Sequence, residues 1–341
     1  MLQKAWFTNS KWIWILLPLS FLFWALSSMR RCLFRWGVLS SKNCSLPVVV
    51  VGNISIGGNG KTPLCIALVN YLQEQGYTPA ILSRGYGGST QHFPRQLHAQ
   101  ASAHEVGDEP ALMFQRLGCV VVIDPIRSRG CEYIAQHTQA NIIICDDGLQ
   151  HYAMQRDLEI CVMDRRGLGN AKLLPMGPLR EGAWRLKTVD ACVVNAHAND
   201  FADFDWLRQY NDACYNMQLQ PSAWVNVTTG ERISLATINK HLLNQRVAIA
   251  GIGDPKRFFD TLDTLNVRVN HCVPYADHHA FSQSDIQQNM SMLMTEKDAV
   301  KVRAFANNHC WYLEVNAQLP SGFFDAILQP LIKNNKLKAN A

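Results

Sequence analysis

Gly57, Gly58, Gly60, Lys61 and Thr62 close the run VVVVGNISIGGNGKT at residues 48–62, and residue types in that order suit the handling of a phosphate chain. Glycines let successive backbone N–H groups point at one anion, and a helix starting near the lysine adds its positive N-terminal end. Lys61 is then placed to reach the β and γ phosphates of a nucleotide, with the Thr62 hydroxyl on Mg²⁺. Ser55 and Asn59 complete the candidate nucleotide loop. The spacing G-x-x-x-x-G-K-[ST] is broken at its first glycine, where this chain has Ser55. A turn that merely joins strand to helix is the plain alternative. The apolar run before the loop, and the apolar helix expected over Pro63–Leu72, favour a phosphate cradle.

Five further clusters carry chemistry-bearing side chains. Asp146 and Asp147 end the apolar stretch of NIIICDDGLQHY (141–152), where a carboxylate would meet the Mg²⁺ held by Thr62. Neighbours on an extended chain point to opposite sides, so one faces the metal and the other acts through water or structure; a plain polar strand end is the competing reading. In SRGYGG (83–88), glycines permit close approach to a ligand and Arg84 offers a cation for phosphate, unless the segment is an ordinary surface loop. Asp108 of GDEP precedes a helix, either kept ionised there or serving as its N-cap. In YADHHAFSQSD (275–285), His278 beside Asp277 is a base with its orienting acid, part of a metal site, or a solvated residue of a capping turn. TEKDAVK (295–301) reads as a strand end turning Lys297 and Asp298 to a cleft, or as a helix start.

These groups need a scaffold that gathers strand ends. Continuous apolar runs at Pro79–Leu82, Val120–Ile123, Ile142–Cys145, Ile160–Met163 and Ala191–Val194 predict strands buried on both faces. Together they predict a P-loop NTPase-like, doubly wound, mostly parallel α/β sheet. WVNVTTGERISL (224–235) alternates around a Thr-Gly turn and predicts a β-hairpin linker. A second, smaller α/β set follows, with strands at Val247–Ile252, Val267–Val273, Met292–Thr295 and Trp311–Val315 and a terminal helix. The expected division is a membrane-anchoring helix with its basic flank at 1–38, a P-loop domain at 39–222, the β linker at 223–245 and the second domain at 246–335.

The chain has 341 residues, 48% apolar and 17% charged, which excludes a disordered protein. Its net charge of +5 is unevenly placed: seven lysines and arginines and no acid precede Glu74. A basic surplus confined to the N-terminus suits an anionic membrane surface and argues against a nucleic-acid groove. Trp12–Leu26 is apolar and rich in tryptophan, flanked by Lys11 and by Arg30, Arg31 and Arg35. It is short for a span, carries Pro18 and lacks a small-x-small cleavage site. An interfacial helix is therefore favoured over a true span or a helix docked on the protein itself. Nucleotide chemistry puts the catalytic part on the cytoplasmic side. The eleven cysteines form no C-x-x-C pair and lie mostly in apolar runs, as in a reducing compartment.

The ordered set VVVGNISIGGNGKTP, SRGYGG, GDEP, DDGLQHY, LPMGPLRE, AGIGDPKRFF, the DH of YADHHAF and TEKDAVK resembles the tetraacyldisaccharide 4′-kinases over nearly the whole chain. That family's loop also lacks a glycine at the position of Ser55. The resemblance implies two α/β domains with the site in the cleft. It also implies an N-terminal membrane helix at the cytoplasmic face of a Gram-negative inner membrane, peripheral or monotopic. The implied reaction moves the ATP γ-phosphoryl to the 4′-hydroxyl of a tetraacylated glucosamine disaccharide 1-phosphate lipid, with Mg²⁺ and no obligate protein partner. On this basis Asp108 and His278 match a catalytic dyad, which overrides the cap reading of Asp108. Thr62, Asp146, Asp147 and Glu181 of LRE match the metal region. Arg84, Tyr86, Gln150, His151 and Arg180 are expected at the acceptor. His279 is expected to be a bystander.

Two other classes compete. A membrane-attached nucleotide switch would use the loop without phosphorylating an acceptor and would not need Asp108 or His278. A DHH-like metallophosphoesterase would use Asp277, His278 and His279, but the further ligand motifs it needs are not assembled in the sequence.

Overall fold

The structure, a computed structural model, describes residues 2–8 and 10–337. Thirteen strands make one sheet. In chain order they are Val48–Gly52 (β1), Pro79–Ser83 (β2), Arg95–Gln96 (β3), Val120–Ile123 (β4), Ile142–Asp146 (β5), Leu158–Asp164 (β6), Ala191–Asn195 (β7), Cys214–Asn226 (β8), Arg232–Ile233 (β9), Arg246–Ala250 (β10), His271–Pro274 (β11), Ser291–Thr295 (β12) and Cys310–Gln318 (β13). Their order is β11-β10-β12-β13-β8-β7-β6-β1-β5-β2-β4-β3, with β9 beside β8. Pairing is antiparallel at β8–β13, β8–β9 and β3–β4 and otherwise parallel among the described strands.

β1 shows why the centre of the sheet forms. Its four valines are fully buried, Val49 and Val51 in one core cluster and Val48 and Val50 in the other. Branched side chains on both faces suit a parallel strand covered on both sides. Val51 pairs with Asp146 of β5 on one side and Gly52 with Cys161 of β6 on the other. The loops after β1, β5 and β6 therefore leave the same sheet edge, the edge at which open α/β sheets bind ligands.

The hairpin expected at residues 224–235 is present, with Trp224 opposite Ile233 and Val225 opposite Arg232. Its first strand is longer than the alternation indicated. The start of β8, Cys214–Met217, pairs with β7, and Gln218–Asn226 pairs with β13, so one strand joins both halves of the sheet. The last helix, Phe323–Lys333, turns back and buries Phe323, Ile327, Leu328 and Leu331 in the core cluster that holds Leu64, Leu68 and Leu72.

At the N-terminus a 3₁₀ turn, Lys11–Leu16, runs into an α-helix, Leu17–Arg35. Pro18 stands in the first turn of that α-helix, where a missing N–H costs nothing. Lys11–Arg35 is long and apolar enough to cross a membrane, with a mean hydropathy of 1.7. Trp12, Trp14, Ile15, Phe21, Leu22 and Trp24 are exposed on it.

Candidate active site

The loop after β1 is held open by its neighbours. Gly60 caps the helix Lys61–Glu74 with φ +97°, and a Cβ there would sit 2.8 Å from Asn195 Nδ2 and 2.9 Å from Met217 Cε. Gly57, at φ +121°, is as tightly approached by Arg166. Both positions need glycine for backbone freedom and for space. Asn59 is a brace: its buried amide donates to Ser55 Oγ at 3.0 Å and Val162 O at 3.4 Å, and its carbonyl accepts from Asn195 Nδ2 at 3.3 Å. Ser55 is thereby turned inward, so the residue that breaks the usual spacing serves to shape the loop. Ile56 and Arg180 complete the frame, through Ile56 N–H to Pro178 O at 2.9 Å and Arg180 N–H to Ile54 O at 2.7 Å.

Lys61 points at the carboxylates. Its Nζ lies 3.5 Å from Asp147 Oδ1, and Arg180 Nη1 donates to both Asp147 oxygens at 3.0 and 2.9 Å. Burial pushes the Asp147 carboxyl up, but Lys61 and Arg180 outweigh it and hold the group below the usual carboxylate range. Asp146 behaves oppositely. Burial, reinforced by the negative charge of Glu109, lifts it to about 7 against the pull of Lys61. Its Oδ1 accepts the weak thiol hydrogen bond of Cys65 at 3.9 Å. Asp146 ends β5 and is enclosed, while Asp147, in the turn beyond it with φ +49°, is salt-bridged, so a turn and not strand alternation parts the two carboxylates.

Packed on the helix Lys61–Glu74, with which it shares a core cluster, stands the helix Asp108–Leu117. Its N-cap is Gly107, at φ +95°, so Asp108 is the first helical residue and its carboxylate is not used as a cap. Asp108 Oδ2 instead meets His278 Nδ1 at 3.0 Å and lies 3.8 Å from Lys301 Nζ. His278 holds a left-handed backbone, φ +58°, with its N–H on Asp277 Oδ1 at 3.1 Å and its ring against the edge of Tyr86 at 5.6 Å. TEKDAVK proves to be a helix start: Thr295 caps Glu296–Val302, and that helix delivers both Lys301 and Lys297, the latter 2.9 Å from Glu109. SRGYGG packs on this turn so closely that a Cβ at Gly88 would lie 2.6 Å from Glu105 O. Glu109 feels the charge of Lys61, which sets the Asp108–Glu109 turn beside the phosphate loop.

The remaining expected residues divide into two groups. Burial and the cations of Arg127, Arg84 and Arg30 push the His151 imidazole down to about 4, leaving a neutral ring in an electropositive corner. Glu181 stands beside the start of the loop, its N–H on Ile54 O at 3.4 Å, and its carboxylate is engaged by neighbouring side chains. Gln150 Nε2 donates to its Oε2 at 2.9 Å, the Tyr152 hydroxyl donates to its Oε1, and Arg185 and Arg31 stand at 3.7 and 3.9 Å. Among the described residues no three His, Cys, Asp or Glu side chains cluster at metal-binding spacing. His279 stacks on Tyr275 at 4.4 Å, away from Asp108. Lys301, Arg127, Tyr152 and Arg166 carry site contacts that residue types alone did not single out; the i, i+4 spacing of Lys297 and Lys301 was the available signal for the first.

The N-terminal helix packs against the side that holds Gln150 and Glu181. Ser20 Oγ donates to Leu173 O at 2.8 Å and accepts from Met176 N–H at 3.0 Å, while Arg30 Nη1 donates to Gln150 O at 3.3 Å. Its basic end thus lies against the LPMGPLRE and DDGLQHY segments.

An anion cradle with a lysine, set beside a carboxylate–imidazole pair that bridges the two halves of the sheet, can accept a proton while it steadies a transferring phosphoryl group. Fold and cleft together define the class of α/β nucleotide-dependent phosphotransferases. The profile of the tetraacyldisaccharide-1-P 4′-kinase family matches residues 12–332, and the chain belongs to that family. A tetraacyldisaccharide 4′-kinase of Pseudoalteromonas atlantica is 46% identical over 317 residues, spanning 92% of this chain and 99% of the relative. Another, from Tolumonas auensis, is 44% identical over 335 residues, 97% of each chain. A crystal structure of the "apo" form of LpxK from Aquifex aeolicus in complex with ATP superposes with a TM-score of 0.80 at 27% identity, covering 94% of this chain and 98% of that one.

Proposed function

We propose that this protein transfers the γ-phosphoryl group of ATP to the 4′-hydroxyl of a tetraacylated glucosamine disaccharide 1-phosphate. The observation that carries the reading is the 3.0 Å contact between Asp108 and His278, which joins the two halves of the sheet beside the phosphate loop. A nucleotide switch has no use for a proton-accepting pair at that place, and family membership also favours the kinase.

In this reading the N–H groups of Gly57–Thr62 and the Lys61 ammonium bind the β and γ phosphates. A sugar hydroxyl is a weak nucleophile at neutral pH, so the Asp108–His278 pair takes its proton as the bond to phosphorus forms. Lys301 keeps Asp108 in place, and Tyr86 fixes the imidazole plane. Oxygen donors at Thr62 and Asp146 suit Mg²⁺, since Asp146 is a buried carboxylate that burial and the nearby charge of Glu109 make reluctant to ionise without a cation. When bound there, the ion would supply charge neutralisation at the phosphoryl oxygens. Asp147 holds Lys61, and Glu181 acts one step back, through Gln150 and Arg180.

The acceptor's sugar and phosphate would lie beside Arg84, His151 and Arg30, with the buried Arg127 adding its charge from beneath. Its acyl chains would run along the exposed apolar face of the N-terminal helix, placed at the cytoplasmic surface of the membrane. The test is transfer from γ-labelled ATP to a tetraacyl disaccharide 1-phosphate in detergent micelles with Mg²⁺, beside a Lys61→Ala control. Labelled lipid that vanishes in the control supports the reading; free phosphate without labelled lipid overturns it in favour of the switch.

A further inference from the structure

Arg166 lies outside the glycine-rich loop yet touches it. Its Nη2 donates to Asn59 Oδ1 at 3.3 Å, and the position of a Cβ at Gly57 is 2.6 Å from Nη2 and 3.3 Å from Nη1. Asn59 braces the loop from Ser55 to Gly60, so a pull on Arg166 is a pull on the loop's shape. On the other side, Asp164 grips the guanidinium: Nε donates to Oδ1 at 3.0 Å and Oδ2 at 2.9 Å, and Nη2 to Oδ2 at 2.5 Å. The N–H groups of Nη1 have no partner among the described residues, and they sit beside Gly57.

The guanidinium also lies over the Phe7 ring, 5.3 Å from its centroid. Phe7, still 40% exposed, packs with one edge on Gly169, where a Cβ would lie 2.9 Å from its Cε1. Trp6 next to it accepts from Asn170 N–H at 3.0 Å and donates its Nε1–H to Pro175 O at 3.0 Å. A cavity of about 310 Å³, lined by Trp6, Phe7, Thr8, Arg166 and Gly169, opens at this junction.

We infer that Arg166 is a positioning residue that couples phosphate occupancy of the loop to the N-terminal apolar segment. A phosphate oxygen in the loop engages the free Nη1 donors and competes with Asp164 for the cation, and its field loosens or tightens the hold on Phe7. Arginine suits the task because its planar fork serves a carboxylate, an amide oxygen and a phosphate at once, while one face stays on an aromatic ring. Linkage makes the effect reciprocal: whatever the nucleotide does to the Phe7 contact, that contact does to nucleotide affinity by the same factor. The inference rests on the loop's being the nucleotide site.

The test uses the full chain in detergent micelles and a non-hydrolysable ATP analogue with Mg²⁺. Affinity is measured for wild type, Arg166→Ala, Arg166→Lys, Phe7→Ala and the Arg166→Ala/Phe7→Ala double variant. Arg166→Ala is expected to weaken binding about tenfold, and Arg166→Lys, which keeps charge without the fork, about threefold. Phe7→Ala, outside the loop, is expected to shift affinity about two- to fivefold, and to have no further effect once Arg166 is alanine. In turnover, the ATP KM should move more than kcat. Equal Phe7→Ala effects in both backgrounds, or unchanged affinity in both Arg166 variants, overturn the coupling. Should Arg166→Ala unfold, Arg166→Lys with and without Phe7→Ala gives the same comparison. Wild-type analogue affinity in Lys61→Ala would instead sink the nucleotide-site reading; loss there with silent Arg166 variants sinks only the coupling.

Discussion

Replacing Asp108 by asparagine keeps the side chain's shape and removes its charge, so it isolates the proton-accepting pair. The 3.0 Å contact with His278 is a charge-assisted hydrogen bond, worth roughly 1.5–3 kcal/mol. At about 1.36 kcal/mol per decade that alone is a loss of about ten- to a hundredfold in rate. Losing the proton transfer as well brings the expected cost to about 10²–10⁴. Asp108→Asn should therefore lower kcat/KM by about 10³, and His278→Ala by about 10²–10³. Lys301, 3.8 Å from Asp108, still has Asp298 at 2.9 Å, so the fold should survive both changes. Because the two groups act as one unit, the double variant should be no more than about tenfold worse than the poorer single. Initial rates of labelled lipid formation, with melting temperatures as folding controls, decide the matter. A double variant whose loss is the full product of the two single losses would refute a shared role, and a single variant within threefold of wild type would remove that residue from the mechanism.

The Asp146 carboxyl, lifted to about 7 by burial, makes a folded state that holds its proton when the unfolded chain has released it. Its contribution is present below the ordinary carboxylate value and is lost as pH rises through about 7; the cost above that is on the order of a few kcal/mol. Asp146→Asn should therefore melt higher than wild type at pH 8 in metal-free buffer, and Mg²⁺ should raise only the wild type. Gly60→Ala should cost about 1–3 kcal/mol in urea unfolding, because φ is +97° and Asn195 and Met217 close the space. Gly58→Ala, with open space around it, should be near neutral. Changing Trp12, Trp14 and Trp24 to serine should cut flotation with anionic vesicles by about 10² or more while leaving ATP-analogue affinity unchanged.

The strands of the nucleotide side were legible because they are apolar on both faces: Val120–Ile123 begins and ends where its run does, and Ile142–Cys145 gains only Asp146. β8 was not, since its first half, Cys214–Gln220, is no continuous apolar run: Asn216, Gln218 and Gln220 alternate with Tyr215, Met217 and Leu219, and only Met217 is fully buried. Its pairing depends on β7 and β13, strands far apart in sequence. The dyad shows the same limit. Aspartate before a helix and histidine after an aspartate each have ordinary local explanations. Only tertiary packing of residues 108 and 278 makes them a pair, and the resemblance supplied what local pattern could not. Glu181 was singled out by the resemblance and by no local pattern, and its carboxylate is engaged by a tyrosine, a glutamine and two arginines that sequence spacing does not bring together.

The turning back of Phe323–Lys333 has a consequence for how the protein is made. The helix that follows Lys61 is sealed by Phe324 stacked on Tyr71 at 5.0 Å, by Asp325 on the Tyr71 hydroxyl, and by leucines that share its core. A ribosome adding about 5–20 residues per second reaches that seal on the order of tens of seconds after the phosphate loop emerges. Through that interval the growing chain carries an uncovered apolar flank beside its most reactive loop. The core around that helix becomes whole only when residues 323–333 arrive, and a chain cut short before residue 323 would leave that flank to chaperones and proteases.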